Sequence, residues 1–252
     1  MTKTLAAIIN YNARAYTDQL YDSLAPYKRD DYDIMVLDNG TPNPSEVSRY
    51  TTHKSPINTY YGGALNLIFR EFLSLPEYDS LMVFNNDIIL HGYNFIRDFR
   101  NEMITNNYLK VISPSALQPE RTQCHWRQMH QWGSISNRKV RWVDFMCPFF
   151  TRELVEEIKQ FDMQLMYGWG QDLYTGVICE QKSTTFMPWE IYVSDIHTIV
   201  HMSSQTYKDG RSDISESEYA TKAMNGMNSY FARIGMSDKL QEFRQYGETY
   251  NI

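Results

Sequence analysis

Three short polar clusters in the 252-residue chain each close an apolar run: Asn10-Tyr11-Asn12, Asp38-Asn39-Gly40 and Asn85-Asn86-Asp87. Carboxylate and amide oxygens gathered in this way suit a hard divalent cation, and Asp87 is the single carboxylate of the third cluster. Further along stand Gly168-Trp169-Gly170, then Gln171-Asp172, then His197 and His201. Imidazole is more acceptable to Mn²⁺ than to Mg²⁺, so His201 is a candidate second ligand or phosphate contact. His197 is its reserve, because residues four apart face roughly the same way on a regular strand or helix. Taken singly, each feature has a plain structural explanation. Asn-Asn-Asp and Asp-Asn-Gly are common turns, and Gly62-Gly63 suits the start of a helix. An acid in a first helical turn offsets the helix dipole, and a lone histidine is often a hydrogen-bonded structural residue.

The elements that would position these groups follow from periodicity. Apolar runs at 5–9, 33–37, 80–84 and 109–113 read as buried strands. Between them fall helical patterns at 16–27 and 93–104, and an amphipathic helix carrying Leu65, Phe69, Phe72 and Leu73, with a short extended piece at 57–60 before it. Strand and helix in short alternation predict an α/β fold with a mainly parallel sheet flanked by helices. Ligands of such sheets bind beyond the carboxyl ends of the strands, which puts the three polar clusters on one rim. Residues 114–140 read as a long polar loop, 141–146 as a strand, 152–160 as a helix, a further helix follows Asp172, and 190–201 reads as a strand. Ser215 and Glu218 form a capping-box pattern opening a helix that Gly235 ends, and a short helix follows from Ser237.

Composition narrows the class. A net charge of −6 argues against a surface coated for phosphate binding, while nineteen tyrosines and twelve phenylalanines supply core and stacking surface. Three dispersed cysteines without a C-x-x-C pair suit a reducing cytoplasm. The N-terminal apolar run is too short for a signal peptide, and no stretch is long enough to span a bilayer. A soluble, cytoplasmic protein is expected.

In order and spacing the motifs resemble GT-A fold glycosyltransferases, and within them the large inverting family two, over residues 4–204. The run Ile8-Ile9-Asn10-Tyr11-Asn12 is similar to that family's first strand, and Val36-Leu37-Asp38-Asn39-Gly40 to its nucleobase-contacting second strand. Residues 62–66 resemble the Gly-rich start of the next helix, and Asn85-Asn86-Asp87 the Asp-x-Asp position. Phe161-Asp162 with Trp169-Gly170-Gln171-Asp172-Leu173 resembles the acceptor-side segment ending in Glu-Asp; His201 with Ser203-Ser204 is similar to the late His followed by a small polar residue. The resemblance implies nucleotide-sugar binding by Asn10, Tyr11, Asn12, Asp38, Gly62, Gly63, Asn66, Asn85, Asn86 and Asp87. It also implies Mn²⁺ or Mg²⁺ at Asp87 with His201, Asp172 as general base, and Trp169, Gly170 and Gln171 on the acceptor side. Two departures stand out: Gln171 replaces the usual Glu, and the first Asp of Asp-x-Asp is Asn85. The implied layout is a transferase domain at 1–204, with a nucleotide-sugar half at 1–113 and an acceptor half at 114–204, then a helical extension at 205–252.

The stretch from 121 to 142 interleaves Arg121, His125, Arg127, His130, Arg138, Lys139 and Arg141 with Trp126, Trp132 and Trp142. Cations alternating with aromatic rings suit phosphate contacts plus stacking, with Arg127 and Trp132 as acceptor-binding candidates. The acceptor is then a saccharide, a glycolipid or a phage-type hydroxymethylated DNA base. Two other classes compete. A sugar-nucleotide nucleotidyltransferase would open with a Gly-rich, Lys-bearing loop, which Asn10-Tyr11-Asn12-Ala13-Arg14 is not. A non-catalytic nucleotide-sugar-binding protein would bind donor without hydrolysing it.

Overall fold

The computed structural model describes residues 2–28, 31–91, 95–117, 124–184, 187–202 and 212–251. Arg121, Ser203 and Ser204 lie outside them. The main strands are β1 (Lys3–Asn10), β2 (Tyr32–Asn39), β3 (His53–Ser55), β4 (Tyr78–Asn85), β5 (Ile88–His91), β6 (Leu109–Ala116), β7 (Asn137–Val140), β8 (Phe149–Thr151) and β11 (Glu190–His201). Ser183–Thr184 (β9) and Met187–Pro188 (β10) form a separate two-stranded pair. The helices are α1 (Arg14–Leu24), α2 (Tyr60–Ser74), α3 (Phe95–Thr105), α4 (Arg152–Ile158), α5 (Gln171–Gln181), α6 (Glu216–Arg233) and α7 (Ser237–Thr249).

Among the described residues the main sheet has nine strands in the order β3-β2-β1-β4-β8-β6-β11-β5, with β7 also on β11. β3, β2, β1 and β4 pair in parallel, as do β6 and β11. Such strands are covered on both faces, which is why β1 is buried along almost its whole length and reads as a continuous apolar run. In α2, Leu65, Ile68, Phe69 and Phe72 are fully buried at the spacing that puts them on one helix face.

Three expected elements differ. The stretch 114–140, expected as a loop, ends in β7, which pairs with β11. Residues 141–146 form no strand: Trp142, Val143, Phe145 and Met146 are all buried, so the alternation of a half-exposed strand is missing. The segment hangs on the sheet through a bond from the Asn85 N–H to the Met146 carbonyl (3.1 Å), and β8 enters between β4 and β6 just after it. The extended piece expected at 57–60 is displaced to β3, and the chain from Ile57 turns directly into α2.

The principal core runs through the sheet and its helices. A second apolar cluster joins Trp142, Leu165 and Leu173 to Met227, Phe231 and Phe243. The C-terminal helices α6 and α7 therefore share a core with α5 instead of trailing from the sheet. Among the described residues no helix is long and apolar enough to cross a membrane.

Candidate functional site

Strand register brings the polar clusters together. Asn10 stands opposite Asp38 across β1 and β2, and Ile9 opposite Asn85 across β1 and β4. A cavity of about 700 Å³ opens beyond these ends, within the range of small-molecule sites. Asn85, Asn86, Asp87, Asp172 and His201 all line it.

The Asp87 and His201 side chains are set side by side by backbone pairing. His201 pairs with Ile88 across β5 and β11, and the Met202 N–H donates to the Asp87 carbonyl at 3.0 Å. The Asp87 Oδ1 lies 3.2 Å from the His201 Nε2, with both side chains nearly buried. A carboxylate oxygen beside an imidazole nitrogen is a donor pair that Mn²⁺ accepts. Among the described residues no group of three or more Asp, Glu, His or Cys could hold a metal unaided. A cation here would draw its remaining ligands from phosphate and water. His197 does not share this place. A register irregularity in β11 between Ser194 and Thr198 turns its ring away, between Phe95 and Phe99, where its Nε2 is 3.3 Å from Asp98.

Asp172 opens α5. Gly170 caps this helix in the left-handed region (φ 89°), a conformation that side-chain-bearing residues rarely adopt. The Asp172 Oδ1 accepts from the Leu173 N–H at 2.8 Å. Its carboxyl is pushed up to about 8, chiefly by burial and next by the charge of Asp144. Asp144 is itself raised by burial, an effect that the neighbouring His201 offsets. Sequence reasoning missed Asp144, although an acid inside the apolar run from Trp142 to Met146 was a usable signal. Gln171, by contrast, is fully buried and outside the cavity lining; its Nε2 donates to the Leu165 carbonyl at 3.1 Å. A carboxylate cannot make that donation, which explains why Gln stands where Glu was expected.

Several predicted site residues buttress the cavity without facing it. Asn10 and Asp38 are buried and bonded to each other (3.2 Å), while Thr17 donates to Asn10 and accepts from Asn86. Tyr11, Asn39 and Asn58 are the residues that face the cavity at this rim. The Asn12 N–H donates to Thr41. Gly62 and Gly63 lie within α2 with their side-chain space filled by protein atoms. A Cβ on Gly62 would overlap the Gln171 amide and the Leu165 carbonyl. The Gly62 N–H donates to the Met166 carbonyl (2.7 Å), and Asn66 exchanges two bonds with the Phe161 backbone (2.9 and 2.7 Å). These bonds stitch α2 to the segment that leads into α5 and Asp172. Trp169 and Gly170 line the cavity.

The basic and aromatic stretch is largely used up internally. Arg138 pairs with Asp195, Lys139 with Glu190, and Arg141 with both Glu180 and Glu242. Trp142 is buried and donates its indole N–H to the Phe243 carbonyl at 3.0 Å. Trp132 donates to the Arg127 carbonyl beneath its guanidinium, and neither residue lines the cavity. Trp126 and His125 do.

No protein-family model matches the sequence, and no curated protein matches it. The fold, however, is that of GT-A glycosyltransferases. The structure of GalNAc-T7 with UDP, GalNAc and Mn²⁺ superposes with a TM-score of 0.61 at 10% identity, over 97% of this chain. This chain spans 54% of the GalNAc-T7 chain. The structure of S. aureus TarS 1-349 in complex with UDP gives 0.57 at 12% identity, covering 92% of this chain and 72% of that one.

Proposed function

We propose that the protein transfers a sugar from a nucleoside diphosphate sugar to an acceptor hydroxyl with inversion. The observation that carries this reading is the meeting of Asp87, Asp172 and His201, far apart in the sequence, on the walls of one cavity beyond the strand ends of a GT-A fold. Asp172 takes the acceptor proton as the hydroxyl oxygen attacks the anomeric carbon, and the bond to the diphosphate oxygen breaks on the opposite face. A carboxyl group raised to about 8 is largely protonated when idle and gains basicity as the price of its burial. A divalent cation bound by Asp87 and His201 would offset the charge that grows on the departing diphosphate. The Asn85 and Asn86 amides offer hydrogen bonds there without adding negative charge, and Tyr11, Asn39 and Asn58 frame the end facing the nucleobase. In this reading the acceptor is a saccharide: Arg138, Lys139 and Arg141, three of the cations that suggested a nucleic acid, are held by carboxylates of the protein itself.

The test is a thermal-shift screen of uridine, guanosine and thymidine diphosphates with and without Mn²⁺, followed by hydrolysis of the matching nucleotide sugars. A ligand that binds only the folded state raises the melting temperature by mass action. Metal-dependent stabilisation by one diphosphate, and slow hydrolysis of its sugar conjugate, are expected. No response to any nucleotide would refute the proposal, and binding without hydrolysis would favour a non-catalytic binder.

A further inference from the structure

Resting on the transferase reading above, we propose that Arg244 is a receptor for a negative charge on the acceptor, which is therefore a saccharide bearing a carboxylate or a phosphate. Arg244 projects from α7 into the cavity wall, where its Nη1 lies 3.7 Å from the Met224 sulfur. Among the described residues no carboxylate pairs with it. This sets it apart from its neighbours: Arg141 and Lys239 are each held by Glu180 and Glu242, and Arg233 by Asp162. Carboxylates are plentiful on this side of the molecule, yet this half-buried guanidinium lies against the Met224 sulfur at the cavity wall.

Its position suits a group attached to the acceptor. Met224 and Met227 are neighbours on one face of α6, and Met227 packs against Gly170, two residues before Asp172. The wall that holds Arg244 thus leads directly to the base-bearing turn. Glu216 also lines the cavity but stands eight residues before Met224, about 12 Å along the helix axis. Trp126 lines the same cavity, with its ring packed edge-on to the buried Trp142 at 4.9 Å, and offers a fixed aromatic face for a sugar ring. Apolar groups around a guanidinium exclude water and strengthen its pairing with a planar or tetrahedral anion.

The experiment titrates methyl β-D-glucuronide, glucose 6-phosphate and methyl β-D-glucoside into the protein, followed by NMR, with and without Mn²⁺ and the nucleoside diphosphate that gives the largest thermal shift. Wild type, Arg244→Gln and Arg244→Lys are compared. One anionic sugar is expected to bind at least about tenfold more tightly than the neutral glycoside, as a charge-assisted bond provides. The glucuronide and phosphate arms tell which anion is meant. The preference should vanish in Arg244→Gln, return in part in Arg244→Lys, and leave nucleotide affinity unchanged. Equal binding of neutral and anionic sugars, no binding of either anionic sugar, or a preference that survives Arg244→Gln would each overturn it. So would loss of nucleotide affinity with the sugar preference intact, which would assign Arg244 to the donor phosphates. Displacement of the sugar by a single-stranded oligonucleotide would make the acceptor a nucleic acid and also overturn it. Failure of every nucleotide to bind sinks the transferase reading alone, since the sugar preference is also read without nucleotide.

Discussion

The raised carboxyl of Asp172 makes a quantitative prediction about rate and pH. With a value of about 8 in the free protein, only about 1% of Asp172 is ionised at pH 6 and half at pH 8. If the ionised form is the base, kcat/KM for the nucleotide sugar rises roughly fifty-fold over that interval, since this parameter reports the free enzyme. Burial is the largest contribution and the Asp144 charge the next, so Asp144→Asn should move the limb to lower pH without abolishing it. Asp172→Asn should remove the limb and lower turnover by roughly a hundredfold or more. The sign for stability is opposite to that for activity. A carboxyl raised above its ordinary value of 3.8 stabilises the fold fully below that value, and this is lost as pH climbs through about 8. Asp172→Asn should therefore raise the melting temperature relative to wild type at pH 9 by more than at pH 5. The assays are initial-rate profiles from pH 5.5 to 9 and melting curves at both ends. A flat wild-type profile from pH 6 to 8, or a limb that persists in folded Asp172→Asn, refutes the assignment.

Other outcomes follow from the same geometry. His201→Ala should weaken Mn²⁺-dependent nucleotide stabilisation while His197→Ala leaves it unchanged; equal effects in thermal shift would contradict the separation of the two rings. Gln171→Glu puts an acid against the Leu165 carbonyl in a buried site and should cost about 1–3 kcal/mol in chemical denaturation. A variant as stable as wild type would show that the amide is dispensable. Trp142→Ala removes a fully buried ring and its bond to Phe243, with an expected loss of about 3–5 kcal/mol. Limited proteolysis should then cut α6 and α7 sooner than the sheet.

The alternating half of the fold was legible because buried parallel strands declare themselves as short apolar runs, and the polar ends of β1, β2 and β4 fell on one rim as periodicity required. Residues 141–146 misled for a physical reason. A fully buried irregular segment is as apolar as a strand, and only its missing alternation separates the two. His197 and His201 look equivalent at a spacing of four, but a local irregularity in β11 separates them, and no periodic rule carries that information. Asp38 and Asn10 bond each other beneath the rim, a pairing that residue type alone does not reveal. The ion pairs of Arg138, Lys139 and Arg141 were not legible, because their carboxylate partners, Glu180, Glu190, Asp195 and Glu242, come from distant stretches that only the folded chain assembles.

The bond between Trp142 and Phe243 spans 101 residues. Loops of that length close late, because chain entropy must be spent before the contact returns anything. During synthesis the parallel half from β1 to β4 can pair while much of the chain is still unmade. The chamber around Asp172 gains its far wall only when α7 arrives. Until then the chain is an open trough, with the Trp142 side of the second core bare. A folding chain is thus most exposed to aggregation after its parallel half is complete, and a chaperone that shields apolar surface would act in that interval.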